Sequence, residues 1–250
     1  MRGIWILIAA AGCRQIFGIA DPQVAEDADP TIDVRHTSDR TLGDASNAGE
    51  VSHFAFDAIM GDKTPDDIGH RDATCTDGSC PTVVLGHKAN ALEFANPAFA
   101  IIPASASSDS QTLTIALWVN MLILPPSFST ACLLDQPQTL SICLDSSGDV
   151  TFATTFNNTV SSLTTPHILV ADMWAQIAVT FDGQAKTIYV NGVEAASTPG
   201  AISTTGGTVY LGAVPNGSGA TGSFANADLD ELAIYSRALD AAEIAALAIQ

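Results

Sequence analysis

The segment from Trp174 to Gly192, WAQIAVTFDGQAKTIYVNG, limits the possible folds more than any other part of the chain. Ile177, Val179 and Phe181 alternate with Ala178 and Thr180, the period-two pattern of a half-buried strand. Asp182-Gly183 reads as a turn, after which Ile188 and Val190 alternate against Thr187 and Tyr189. Asn191-Gly192 offers the positive φ angles of a tight hairpin, and Val193-Glu194-Ala195 starts a third strand. A meander this rich in β-branched and aromatic residues predicts an antiparallel sheet.

The pattern Trp-x-x-Ile-Ala-Val-Thr-Phe-Asp-Gly…Ile-Tyr-Val-Asn-Gly resembles the central hairpin of laminin-G-like, concanavalin A-like jelly-roll domains. Further segments resemble that family's strands in the family's order. They are Gly86 to Phe94 (GHKANALEF), Leu113 to Asn120 (LTIALWVN), Thr208 to Gly212 (TVYLG) and Asp228 to Leu239 (DLDELAIYSRAL). Asp66 to Thr74 resembles the family's early loop. The resemblance covers roughly residues 51–250 and implies an all-β, two-sheet antiparallel jelly-roll sandwich. It says less about function, because this sandwich hosts lectins, adhesion modules and glycanases alike.

The whole chain has 250 residues, 47% of them apolar, enough to bury a full core. Nine Lys plus Arg face 27 Asp plus Glu, a formal charge of −18. No basic stripe could release phosphate counterions, so nucleic acid is excluded as a partner.

The five cysteines are Cys13, Cys75, Cys80, Cys132 and Cys143. Cys75 and Cys80 bracket the turn Thr-Asp-Gly-Ser, and Cys132 and Cys143 lie in two apolar runs spaced as a hairpin. Disulfides Cys75–Cys80 and Cys132–Cys143 are expected in an oxidising compartment; buried free thiols are the alternative in a reducing one. Residues 1–13, MRGIWILIAAAGC, place one Arg before an apolar run too short to span a membrane, then small residues before Cys13. This resembles a bacterial lipoprotein signal, which implies lipidation of Cys13 and membrane contact through that anchor alone. The alternative is a secretory signal cut near Ala20. Both export the chain. Residues 14–50 are expected to be a disordered acidic tether: Asp21 to Glu50 holds eight acidic residues, two arginines and two prolines.

The domain is expected to open at Val51 with the strand HFAFDAI and to close with a short helix from about Ala241 to Ile249. Asp240 with Glu243 forms a capping-box variant, and Leu239 and Ile244 stand at hydrophobic-staple spacing.

Catalysis is not expected. Laminarinase-type glucanases of this fold carry Glu-x-Asp-x-x-Glu or Glu-x-Asp-x-Glu on one strand, so that two glutamates share a face. Here Asp228 and Asp230 share a face, Leu232 replaces the second Glu, and strict alternation puts Glu231 on the opposite side. The histidines lack zinc spacing, and no nucleophile elbow or phosphate loop occurs. The resemblance suggests a calcium ion, with Asp57, Asp66, Asp67, Asp228 and Asp230 as candidate ligands, against solvated or capping aspartates. Trp118 and Trp174 fall where the family buries its tryptophans and are expected in the core. Phe128, Phe156, Asn157, Asn158, Asn216 and Phe224 are the candidates for a loop-borne ligand site. The expected function is a non-catalytic cell-surface module binding carbohydrate or another extracellular ligand. A degraded or unconventional glycan hydrolase and an architectural envelope protein are the alternatives.

Overall fold

A computed structural model describes residues 48–250 except 77, 105–110, 167–168, 204–206 and 216–219. Contacts divide the chain after Arg40, and all described residues belong to the second unit, Thr41–Gln250. The expected signal, Cys13 and nearly all of the tether lie outside the described residues.

The strands are β1 (Glu50–Phe54), β2 (Lys63–Thr64), β3 (Ala73–Thr74), β4 (Thr82–Leu85), β5 (Asn90–Phe94) and β6 (Ala100–Ile102). They continue with β7 (Leu113–Met121), β8 (Thr130–Gln136), β9 (Leu140–Asp145), β10 (Val150–Phe156) and β11 (Thr159–Thr164). The last are β12 (Trp174–Phe181), β13 (Ala185–Val190), β14 (Val193–Pro199), β15 (Val209–Leu211), β16 (Val214–Pro215), β17 (Ala220–Gly222) and β18 (Ala227–Tyr235). Helix α1 (Ala241–Leu247) follows. The front sheet runs β14-β13-β12-β7-β18-β5-β4, with β1 also paired to β18. The back sheet runs β11-β10-β9-β8-β15-β6-β3-β2, and β16-β17 form a small ribbon. This is the antiparallel jelly-roll sandwich the sequence implies.

The central hairpin forms as its alternation dictates. Ile177, Val179, Phe181 and Ile188 enter the core between the sheets. Asn191 and Gly192 both take left-handed φ, +49° and +78°, which closes the turn between β13 and β14. A Cβ on Gly192 would lie 3.0 Å from the Ala245 Cα of α1, so this turn also backs the helix.

Phe54, Leu92, Phe94, Leu117, Val119, Leu229 and Leu232 from the front sheet meet Ile102, Leu134, Ile142, Leu144, Phe152 and Leu211 from the back. Each such side chain contributes about 1.5–3 kcal/mol on burial. Both expected disulfides form, and Cys132 and Cys143 stand directly opposite each other on β8 and β9. The Cys132–Cys143 bridge closes a loop with a sequence separation of 11; restricting the unfolded chain this way is worth about 3 kcal/mol. Removing it with paired Cys→Ala substitutions should lower the unfolding free energy from urea melts by about 3 kcal/mol, and an unchanged value would refute the assignment of this bridge as a main stabiliser.

The opposite face of the front sheet is half covered. Helix α1 lays Ile244 and Leu247 on Ala116, Ala178, Tyr189, Ala233 and Tyr235, with Leu239 beside them. The capping box forms as expected: the Asp240 carboxylate accepts from the N–H groups of Ala242 and Glu243, and Glu243 accepts from the Asp240 N–H. Arg237 grips Glu243 with two bonds of 2.8 and 2.6 Å, tying the helix to the end of the closing strand. Beyond the helix the same face stays open.

Candidate functional site

The open face is built by β7, β12 and β18. Trp118 of β7 lies between Gln176 of β12 and Asp230 of β18, and Asn120 lies between Trp174 and Asp228. Directly opposed residues of neighbouring strands share a face about 5 Å apart. These six therefore make one patch.

Strand β18 alternates normally up to Asp230, with Ala227 and Leu229 in the core. Glu231 then takes φ +48°, and the register with β7 slips between Asp230 and Ala233. One extra residue is inserted, and Leu232 returns to the core while Ala233 and Tyr235 face outward. Glu231 consequently joins the outer face instead of the opposite one that strict alternation predicts. Two strands share this edge of β18, with β5 on Ala227–Leu229 and β1 on Leu232–Tyr235. Glu231 sits at their gap, held by His53 Nε2 and Lys88 Nζ, each 3.3 Å from Oε2.

Glu231 lines a cleft of about 230 Å³ between α1 and the β4–β5 loop, with Glu50, His53, Trp118, Gln176 and Tyr235. Burial alone would raise the Glu231 carboxyl, but the His53 bond and the Lys88 charge hold it below its ordinary value. The bond to Glu231 raises His53 against the opposing effect of burial, with Glu50 and Asp67 adding to the rise. A raised histidine stabilises the fold when protonated and stops doing so as pH climbs through its folded pKa. A depressed carboxylate stops when pH falls through its own. The pair therefore contributes between these limits, on the order of 1 kcal/mol for groups this accessible. His53→Ala should lose that amount at pH 5.5 and much less at pH 9; a deficit independent of pH would refute the ion-pair account.

The β4–β5 loop reaches over part of the patch. The Lys88 N–H donates to Asp230 Oδ2 at 2.9 Å. A Cβ on Gly86 would meet the Asn90 carbonyl oxygen at 2.4 Å and Asp230 Oδ2 at 2.6 Å, so only glycine lets the loop descend this far. The exposed His87 ring lies flat on Trp118, centroids 3.5 Å apart and planes 11° apart, and meets the edge of Trp174 at 6.2 Å. Asp230 is fully buried, and that burial pushes its carboxyl up to about 6. Asp228 is also raised by burial, offset in part by the Asn120 amide that donates to its Oδ2 at 3.0 Å. Among the described residues, four buried side-chain atoms lack a hydrogen-bond partner: Asn120 Oδ1, Gln176 Oε1, Asp228 Oδ1 and Asp230 Oδ1. All four lie in this patch, and all are acceptors.

The expected site residues are distributed differently. Asp66 is consumed by loop structure, its oxygens accepting from the N–H groups of His53, Ile68, Gly69 and Arg71. Asp57 accepts from the Asn90 N–H, and Asp67 stands 3.7 Å from His53. Asp228 and Asp230 belong to the open face, so the five aspartates do not form one ligand set. Among the described residues no group of three or more His, Cys, Asp or Glu is placed to hold a metal ion.

Asn157 and Asn158 form the β10–β11 turn with φ of +49° and +62°, and Phe156 and Phe128 are exposed. Phe224 packs against Phe99 and Ala213, and Asn216 lies outside the described residues. Trp118 and Trp174 are half-buried on the outer face and not in the core between the sheets. Their parity carries that information, because Ile115, Leu117 and Val119 flank Trp118 on the opposite phase. His87 had no comparable signal.

Together these features define a jelly-roll sandwich with an aromatic and carboxylate patch on its front sheet. The chain belongs to the concanavalin A-like lectin/glucanases superfamily, whose laminin-G-type model matches residues 95–245. No curated protein matches the sequence. Solved structures share the fold. The binding domain of paraclostridial mosquitocidal protein 1 superposes with a TM-score of 0.65 at 16% identity, over 81% of this chain and 52% of that one. The binding domain of botulinum neurotoxin DC in complex with SialylT gives 0.64 at 12%, over 82% and 52%. Botulinum neurotoxin type C, described as dependent for cell entry upon interaction with two ganglioside molecules, gives 0.62 at 13%, over 84% and 53%. The chain thus spans about half the length of these structures, and likeness at such identity establishes the fold.

Proposed function

We propose that the domain is a non-catalytic module that binds carbohydrate on the open face of the front sheet, at Trp118. The observation that carries this reading is the exposed His87 ring lying flat on a half-buried tryptophan beside a cleft. A pyranose ring presents a similar flat apolar face, and it can take the place of the imidazole while its hydroxyls donate to the unpaired oxygens around it. Membership of a superfamily that includes lectins supports the reading, as do the neurotoxin domain in complex with SialylT and the neurotoxin whose cell entry depends upon interaction with two ganglioside molecules. Against a hydrolase stands Asp230, buried and with one oxygen committed to the Lys88 N–H.

Binding of the full chain to a glycan array tests the reading, run with calcium and with EDTA so that the calcium expectation is tested on the same plate. Signals that disappear in Trp118→Ala support it, whereas signals indifferent to Trp118 would place any binding elsewhere. On this reading the module works outside the cell, tethered through a lipidated Cys13. Cys13→Ser should then release the chain from the membrane fraction, and unchanged fractionation would overturn the anchor.

A further inference from the structure

The four unpaired oxygens around Trp118 ask for more than a neutral sugar. Every one of them is an acceptor, and the Asn120 amide cannot be reversed without losing its bond to Asp228. Asp228 and Asp230 are 6% and 0% exposed, and neither meets a cation among the described residues. The nearby cations, Lys88 and His53, both turn to Glu231. A buried carboxylate without a counter-charge is costly, and a buried acceptor without a donor adds to that cost.

We infer that the ligand of this site carries a cationic nitrogen, as the free amine of an amino sugar does. An ammonium offers three donors and no acceptor. Asn120 Oδ1, Asp228 Oδ1 and Asp230 Oδ1 are the unpaired acceptors available to those donors, and the Trp118 face supplies a cation–π contact once His87 withdraws. A hydroxyl donates one hydrogen and brings no charge. An acetylated amine brings no charge and one donor. This inference rests on the carbohydrate-binding reading and narrows it to a charged ring.

Calorimetry at pH 6 with three β-1,4-linked tetramers tests it: glucosamine, N-acetylglucosamine and glucose. The glucosamine tetramer should bind at least 10-fold more tightly than the other two. Asp228→Asn should erase that preference, bringing the glucosamine tetramer to the level of the other two, and the near-isosteric Asp230→Asn should act likewise in a protein shown to be folded by its melting curve. Equal affinities for all three tetramers, each abolished by Trp118→Ala, would overturn the cationic ligand while leaving carbohydrate binding intact. Glucosamine binding that ignores all three substitutions would show general attraction to an acidic surface and would also overturn it. If no tetramer binds, the inference fails and the array alone decides the broader reading.

Discussion

Replacing His87 by alanine is expected to tighten glycan binding about 2- to 10-fold. The imidazole–indole stack seen at 3.5 Å must be broken before a sugar can occupy the Trp118 face, and such a stack is worth about 0.5–1.5 kcal/mol beyond its buried area. That energy opposes the ligand in the native protein and is absent in the variant. Trp118→Ala should instead weaken binding at least about 30-fold, the 2 kcal/mol or more typical of a tryptophan anchor. The opposite signs make the pair diagnostic, because His87 and Trp118 touch each other. If His87 belonged to the binding surface, both substitutions would weaken binding, and that result would reject displacement. Titration of each variant with the same array-selected glycan provides the measurement.

Asp230 should make the protein less stable as pH rises from 4 to 7.5. Its carboxyl titrates near 6 in the fold because of burial, against an ordinary 3.8. A raised carboxyl leaves stability intact below the unfolded value and withdraws it as pH passes the folded one. The separation corresponds to about 3 kcal/mol. Asp135 is also pushed up to about 6 by burial and acts in the same direction, so the wild-type slope alone does not isolate Asp230. Asp230→Asn does. Its amide oxygen can still accept the Lys88 N–H, and nothing ionises. Urea unfolding at the two pH values should show a smaller loss in the variant by about 2.4 kcal/mol, since part of the full separation is already spent at pH 4; parallel losses would remove Asp230 from the account. The variant should also be the more stable protein at pH 7.5. A carboxylate retained at such cost fits a role in ligand binding better than one in holding the fold.

Much of the scaffold could be predicted from local pattern. The hairpin from Trp174 to Gly192 announced its strands through alternation and its turn through Asn191-Gly192, and both sit where those signals put them. The helix was marked by Asp240 and Glu243 and bounded to within two residues at its end, Leu247 against an expected Ile249. Hairpin spacing alone pairs Cys132 with Cys143. These features depend on residues close in sequence, or on one strand and its immediate neighbour.

Local pattern does not reveal the patch, and the reason lies in β18. A glutamate is an unusual occupant of left-handed φ, so no residue type warned that Glu231 would interrupt the alternation. The bulge falls where two strands, β1 and β5, share one edge of β18 and leave a gap between them. His87 likewise comes to Trp118 only because Gly86 lets the β4–β5 loop drop onto a strand more than 140 positions away, where Lys88 bonds Asp230. The sequence by itself determined the sandwich, the helix and the disulfides, because alternation, turn chemistry and capping act over a few residues. Only the tertiary structure decided which face carries a site. Burying Asp228 and Asp230 without counter-charge, and laying a removable ring on Trp118, are consequences of segments far apart in sequence packing on one sheet.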